Sequence, residues 1–249
     1  MRRLAWLSLI PLLSLSACGS AKSSNGGAPD TTLAGSTYAI VPDREVTAGL
    51  DTVKALGSAA AIDVDALYKA WLAIEGTVRA RDKDRYLDIE DALAGVKAEH
   101  RVDTIKQLGT AIDAYLQAHP GDGSEPPLTT LALKPKHTVA VRLDDYELSL
   151  PFRLQRGVSK FVLNNHSAHN ATHEMVIFRT ELDAKSLPVD TKGRINEKGA
   201  GITHVTEVEN VKPGADGKLI ADLAPGHYVF ACNIDDHYRR GMATNITVA

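Results

Sequence analysis

Near the C-terminal end of the chain a cysteine, a histidine and a methionine stand at regular intervals. Cys232 is followed by four residues and His237, then by four more and Met242. Strand-like residues flank this stretch, Tyr228 to Ala231 before it and Thr244 to Val248 after it. A thiolate, an imidazole and a thioether on one short loop are soft and borderline donors, a set that favours copper. One cysteine and two histidines in a plane, with a long axial methionine, form a site for one-electron transfer. The loop supplies three of those four donors, so the fourth is expected to be a histidine on a distant strand.

His173 fits that place. It stands where the polar run Asn164 to Thr172 gives way to the apolar stretch Met175 to Phe178. His166 and His169 are rivals in the same loop, but no apolar strand follows either directly. With these residues in view, the segment from about Thr138 to Val248 resembles a cupredoxin. The likeness rests on the Val- and Leu-rich strand after His137, the Asn-containing loop, His173-Glu174-Met175-Val176, the strand Pro225-Gly226-His227-Tyr228-Val229-Phe230-Ala231-Cys232, and the Cys-His-Met loop. The resemblance implies a Greek-key β-sandwich binding one mononuclear copper through His173, Cys232 and His237, with Met242 axial. It also implies that His237 lies nearest the surface as the port for electrons, ringed by Asp235, Asp236, Arg239 and Arg240. Many small members of the family carry Asn directly after the first histidine. Glu174 stands there in this chain, beside a ligand whose surroundings tune the potential. His166, His169, His204 and His227 read as solvated loop or strand histidines.

The elements that must position this loop follow from the rest of the chain. At 249 residues, with 44% hydrophobic and 24% charged residues, the protein suits one large or two modest globular domains. A net charge of −3 offers no basic field for nucleic acid. Aromatic residues at 5% leave few surfaces on which bases could stack. Residues 1–17 read as a signal peptide: Arg2 and Arg3, then an apolar run from Leu4 to Leu15 too short to span a bilayer. Leu15-Ser16-Ala17-Cys18 resembles the bacterial lipobox, which implies lipidation of Cys18 and anchoring to the membrane without spanning it. Gly19, where inner-membrane retention often uses Asp, leans towards the outer membrane. The chain has two cysteines. With Cys18 lipidated, Cys232 has no disulfide partner, and metal ligation accounts for an unpaired thiol in an oxidising compartment.

Residues 18–40 read as a flexible linker of small and polar residues. Over 41–120 the apolar spacing becomes helical in four sets, ending at Leu56, Val78, Val96 and Tyr115, with Asp43, Asp63 and Asp84 as expected N-caps. Short connections imply an antiparallel helical bundle. Glu75 and Glu90 border its apolar stripes. Two readings stay open for them: a second metal site, or stripe-edge carboxylates bonded to a ring donor or paired with Arg79, Arg81 or Lys97. Residues 121–136 read as a second linker. From 137 to 249 the period is two, with strands expected at 146–150, 158–164, 173–180, 204–209, 217–223, 226–232 and 244–248, and a long exposed loop over 183–201. The fold class is therefore multidomain α and β: an N-terminal helical bundle followed by a C-terminal sandwich.

No catalytic constellation stands out, and four protein ligands leave no open position for a substrate, so the chain reads as a non-enzyme. The expected partners are a redox protein of the cell envelope and, through the lipid, the membrane. No nucleic acid and no small-molecule substrate is expected. The alternative is metal trafficking, either copper delivery or iron acquisition, with the helical domain as a second metal or partner site. The domain pairing also resembles periplasmic iron-uptake lipoproteins that join a cupredoxin to a helical imelysin-like domain, although that family's helical metal motif is not visible here.

Overall fold

A computed structural model describes residues 32–34, 40–131 and 133–249. The described residues hold five helices: α1 (Asp43–Gly57), α2 (Val64–Leu72), α3 (Glu75–Arg81), α4 (Lys83–Ala98) and α5 (Val102–Ala118). The third expected helix boundary falls as read, between α4 and α5. The second apolar set divides into α2 and α3, because a turn at residues 73–74 keeps Ile74 and Val78 on the same core as Leu67 and Trp71. Of the expected N-caps, Asp63 accepts the Ala66 amide and caps α2. Asp82 rather than Asp84 caps α4, accepting the Arg85 amide. Asp43 is the first residue of α1, and its carboxylate instead takes a two-pronged bond from the buried Arg81 guanidinium, at 3.1 and 2.6 Å. The bundle closes on Leu50, Leu67, Trp71, Tyr86, Ile89, Leu108 and Ile112.

Eleven strands are described. β1 (Thr32–Ala34) and β2 (Thr129–Leu131) pair in parallel, each inside a stretch that composition assigns to a linker. The sandwich is built from β3 (His137–Asp144), β4 (Glu147–Ser149), β5 (Arg153–Leu154), β6 (Gly157–Asn165), β7 (His173–Thr180), β8 (Ile202–Val211), β9 (Asp216–Leu223), β10 (Gly226–Ala231) and β11 (Ala243–Val248). One sheet runs β4-β3-β6-β9 and the other β5-β11-β10-β7-β8. Alternation along β3 and β9 sends Val139, Val141, Leu143, Leu219, Ala221 and Leu223 into the space between the sheets. They meet Met175, Ile177, Tyr228, Phe230 and Ile246 from the other sheet.

β7 is buried on both faces. Met175 and Ile177 face the sandwich core, whereas Val176 and Phe178 face outward into a second apolar cluster with Ala184, Leu187, Ile195 and Tyr238. The segment 183–201, expected as an exposed loop, therefore packs across the outer face of the five-stranded sheet. Its Lys-, Gly- and Asp-rich composition conceals the few apolar anchors that hold it there. Its Arg194 reaches Asp91 of α4 at 2.6 Å.

The helices seat against β8, an edge strand of that sheet. Arg79 and Lys83 donate to the carbonyls of Val205 and His204, and Tyr86 donates to Glu207 at 2.5 Å. An uncovered edge strand is a template for unwanted pairing, and here helical cations occupy its carbonyls.

Candidate metal centre

Antiparallel pairing puts Ala231 opposite Val176, so the end of β10 lies beside the start of β7. That register brings His173, the first residue of β7, next to Cys232, the first residue beyond β10. The Cys232 sulfur lies 3.9 Å from His173 Nδ1 and 3.4 Å from His237 Nδ1, and the two imidazole centroids are 5.0 Å apart. Cys232, His173 and Met242 are fully buried, and His237 is less so. The loop is tied to itself. Cys232 N–H donates to the Met242 carbonyl at 2.9 Å, Met242 N–H to that of His237 at 3.1 Å, and His237 N–H to that of Ile234 at 3.0 Å. Burial pushes the Cys232 thiol far above its ordinary pKa. Burial holds His173 below the usual imidazole range and, with His173 adding to the effect, lowers His237 to about 4. Both shifts favour the neutral imidazole that ligation requires. The thiol needs a metal to become a thiolate here. The donor set of two imidazole nitrogens, a sulfur and a buried thioether fits copper.

The C-terminal part is a β-sandwich of a five-stranded and a four-stranded sheet. No family model and no curated protein matches the sequence. Among solved structures, the chain is similar to reduced auracyanin from Roseiflexus castenholzii, at 19% identity over 47% of this chain and 99% of that one (TM-score 0.35). It is similar to rusticyanin from Thiobacillus ferrooxidans, at 14% identity over 47% and 79% (TM-score 0.34). It is also similar to a multicopper oxidase from Campylobacter jejuni, at 15% identity over 51% and 34% (TM-score 0.33).

The rival loop histidines stand apart from this cluster. His169 is exposed and bonds Asp145 at 2.8 Å, and His166 is exposed. His227 lies on β10, bonded to the Thr180 carbonyl. His204, expected to be solvated, is buried and lies 2.9 Å from Glu207. Cys18 lies outside the described residues.

Glu174 turns away from the ligands and accepts the Asn233 amide at 2.8 Å, clamping the residue after Cys232. Desolvation raises its pKa to about 7. Tyr146 was not singled out by the sequence. It adopts a left-handed backbone (φ 62°) in the turn between β3 and β4 and sets its ring edge-on to His237 at 5.3 Å, with the Arg240 guanidinium 4.4 Å from its centroid. Of the expected surface rim, Asp236 pairs with Arg240, Asp235 with Arg194, and Arg239 reaches the Asp190 carbonyl.

Because an axial ligand tunes the potential, Met242→Gln is expected to keep copper bound while lowering the reduction potential by more than about 60 mV, a tenfold change in a one-electron equilibrium. Spectroelectrochemical titration of both proteins measures this, and an unchanged potential would remove Met242 from the ligand set.

Glu75 and Glu90 meet across the bundle as well. Their carboxyl groups lie with that of Glu209, from β8, all within 4.8 Å of one another. Glu90 also accepts the Trp71 indole N–H, so the ring-donor reading holds for that residue alongside the clustering. Desolvation raises Glu75 to about 8 and lifts Glu90 and Glu209 well above the usual carboxylate range. Nothing in the pattern of residues 205–211 marked Glu207 or Glu209 as buried, since alternating Glu on a strand reads as a solvated face.

Proposed function

We propose that the protein is a one-electron carrier of the bacterial cell envelope, exported as a lipoprotein and facing the periplasm. The observation that carries this reading is the convergence of His173, Cys232 and His237 at one end of the sandwich, with Met242 buried on the same loop as the last two and that loop pinned by its own amides. Bound copper supplies reversible one-electron chemistry. The chain's part is to hold four ligands in place through both oxidation states, to exclude water from the thiolate, and to leave His237 as the ligand nearest solvent. Tyr146, Arg240 and Asp236 form the surface beside His237, and a redox partner protein docks there. Four protein donors also favour a carrier over an oxidase.

Reduced holo-protein mixed with respiratory acceptors is expected to reoxidise quickly and to keep its copper through repeated cycles. Stopped-flow absorbance together with copper analysis checks this. Stoichiometric release of copper to an apo-oxidase fragment would favour delivery instead and end the carrier reading.

Export rests on the leader and the lipobox. No helix among the described residues is long and apolar enough to cross a membrane, and the lipid on Cys18 provides the anchor, in the outer membrane. Wild-type protein is expected in the membrane fraction and Cys18→Ser in the soluble periplasm, and equal release of both would sink the lipid anchor.

A further inference from the structure

Between the outer face of the five-stranded sheet and helices α2 and α4 lies a cavity of about 560 Å³, lined in part by Tyr68, Glu90, Glu174, Glu197, Glu207 and Glu209. Two groups of donor atoms gather beside it. The carboxyl oxygens of Glu75, Glu90 and Glu209 lie within 4.8 Å of one another, and so do those of Glu197 and Glu207 with a ring nitrogen of His204. The first group joins three elements, α3, α4 and β8, so it exists only where the two domains meet.

Each group holds buried atoms without a hydrogen-bond partner, Glu75 Oε2 and Glu209 Oε2 in the first and Glu197 Oε2 and His204 Nδ1 in the second, and donor chemistry separates them: oxygen alone in the first, oxygen and nitrogen in the second. Glu207 accepts from Tyr86 and lies against His204, and Glu197 accepts from Asn233 Nδ2 at 2.8 Å. In the first group Glu90 accepts the Trp71 indole. Glu75 is 1% exposed, and its Oε2 is buried with no hydrogen-bond partner, as is Oε2 of Glu209. A buried carboxyl oxygen without a donor is costly, and three clustered carboxyl groups cannot all ionise without repelling one another. A bound cation relieves both penalties. Oxygen-only donors select a hard ion, and the room beside them lets it keep some of its water.

We propose that Glu75, Glu90 and Glu209 form a second metal site, at the domain interface, for a hard divalent cation. This site is separate in place and in donor chemistry from the soft site at Cys232, and it does not depend on the electron-carrier reading.

Mn²⁺ is the probe. Purified full-length protein, stripped with chelator, is titrated with Mn²⁺ while the electron paramagnetic resonance signal of free Mn²⁺ is followed. Wild type and Cys232→Ser are both expected to take up one Mn²⁺ per chain. Glu75→Gln and Glu209→Gln are expected to bind at least about tenfold more weakly while keeping the visible copper band of the wild type, which serves as the check on folding. Trp71 bonds Glu90 directly, so Mn²⁺ is also expected to change a fluorescence component that Trp71→Phe abolishes. This second readout decides the matter even if a glutamine variant does not fold. The proposal is overturned if wild type binds no Mn²⁺, if the glutamine variants bind as wild type does, if Cys232→Ser loses Mn²⁺, or if Mn²⁺ binds without touching Trp71 emission.

Discussion

Cys232→Ser is expected to abolish the intense visible absorption of the oxidised, copper-loaded protein. That band belongs to a thiolate–copper bond, and Cys232 is the thiol at the centre of the cluster, 3.4 Å from His237 Nδ1 and 3.9 Å from His173 Nδ1. Serine preserves the volume and a polar atom but not the soft donor. Its hydroxyl is not deprotonated in a pocket that already pushes the thiol up. Copper that stabilises the wild type by about 4 kcal/mol, when free copper is about a thousand times Kd, is expected to give little stabilisation to the variant. Visible spectra and thermal melts with and without copper measure both effects. A variant that kept the band would show that another residue supplies the thiolate's role, and the assignment of the site would fall.

Trp71→Ala is expected to cost the helical domain roughly 3–5 kcal/mol, the usual range for removing a fully buried large aromatic. Trp71 is wholly buried and stacks on Tyr86 at 5.8 Å between ring centroids and 18° between ring planes. Its indole also donates to Glu90. Alanine thus opens a cavity and deprives a buried carboxyl of its donor at the same time, and such an orphaned group adds about 1–3 kcal/mol. Trp71→Phe keeps most of the ring and removes only the donor, so it should lose about that second amount alone. Urea denaturation followed by far-ultraviolet circular dichroism separates the two variants. A Trp71→Phe variant as stable as the wild type would mean that the bond to Glu90 contributes nothing, and a loss for alanine no larger than that for phenylalanine would contradict the packing.

The two sites differ in how far local sequence could announce them. Three donors of the soft site lie within eleven residues, and strand-like flanks place them on one loop, so type and spacing suffice to point at copper chemistry. His173 is marked by the apolar stretch that follows it. What spacing could not supply was the register that sets Ala231 opposite Val176, and with it the meeting of His173 and Cys232. Nor could it show the turn that carries Tyr146 over His237.

The interdomain cluster was half visible. Glu75 and Glu90 stood out beside helical apolar stripes, but their third member lies more than a hundred residues away on a strand. Read with a strict period of two, His204 and Glu207 fall on opposite faces of β8. The strand carries an extra residue, Val205, between the partners of Ile177 and Phe178. This bulge turns His204 and Glu207 to the same outer face, while Val205 and Val208 pack against the sandwich core. A second irregularity, between the partners of His173 and Met175, takes in Glu209 and Asn210, the latter with a left-handed backbone.

By itself, then, the amino-acid sequence determined the helical and sheet periodicities, the sandwich strands other than the two-residue β5 to within a few residues, and the soft donor set, because each of these is written in spacing over about ten residues. Tertiary structure alone decided that the polar segment 183–201 packs down on apolar anchors, that Arg79 and Lys83 close the edge of β8, and that glutamates from α3, α4 and β8 share one buried volume. Those outcomes depend on bulges and on docking between distant segments, where a one-residue shift in a strand moves a side chain from solvent to core.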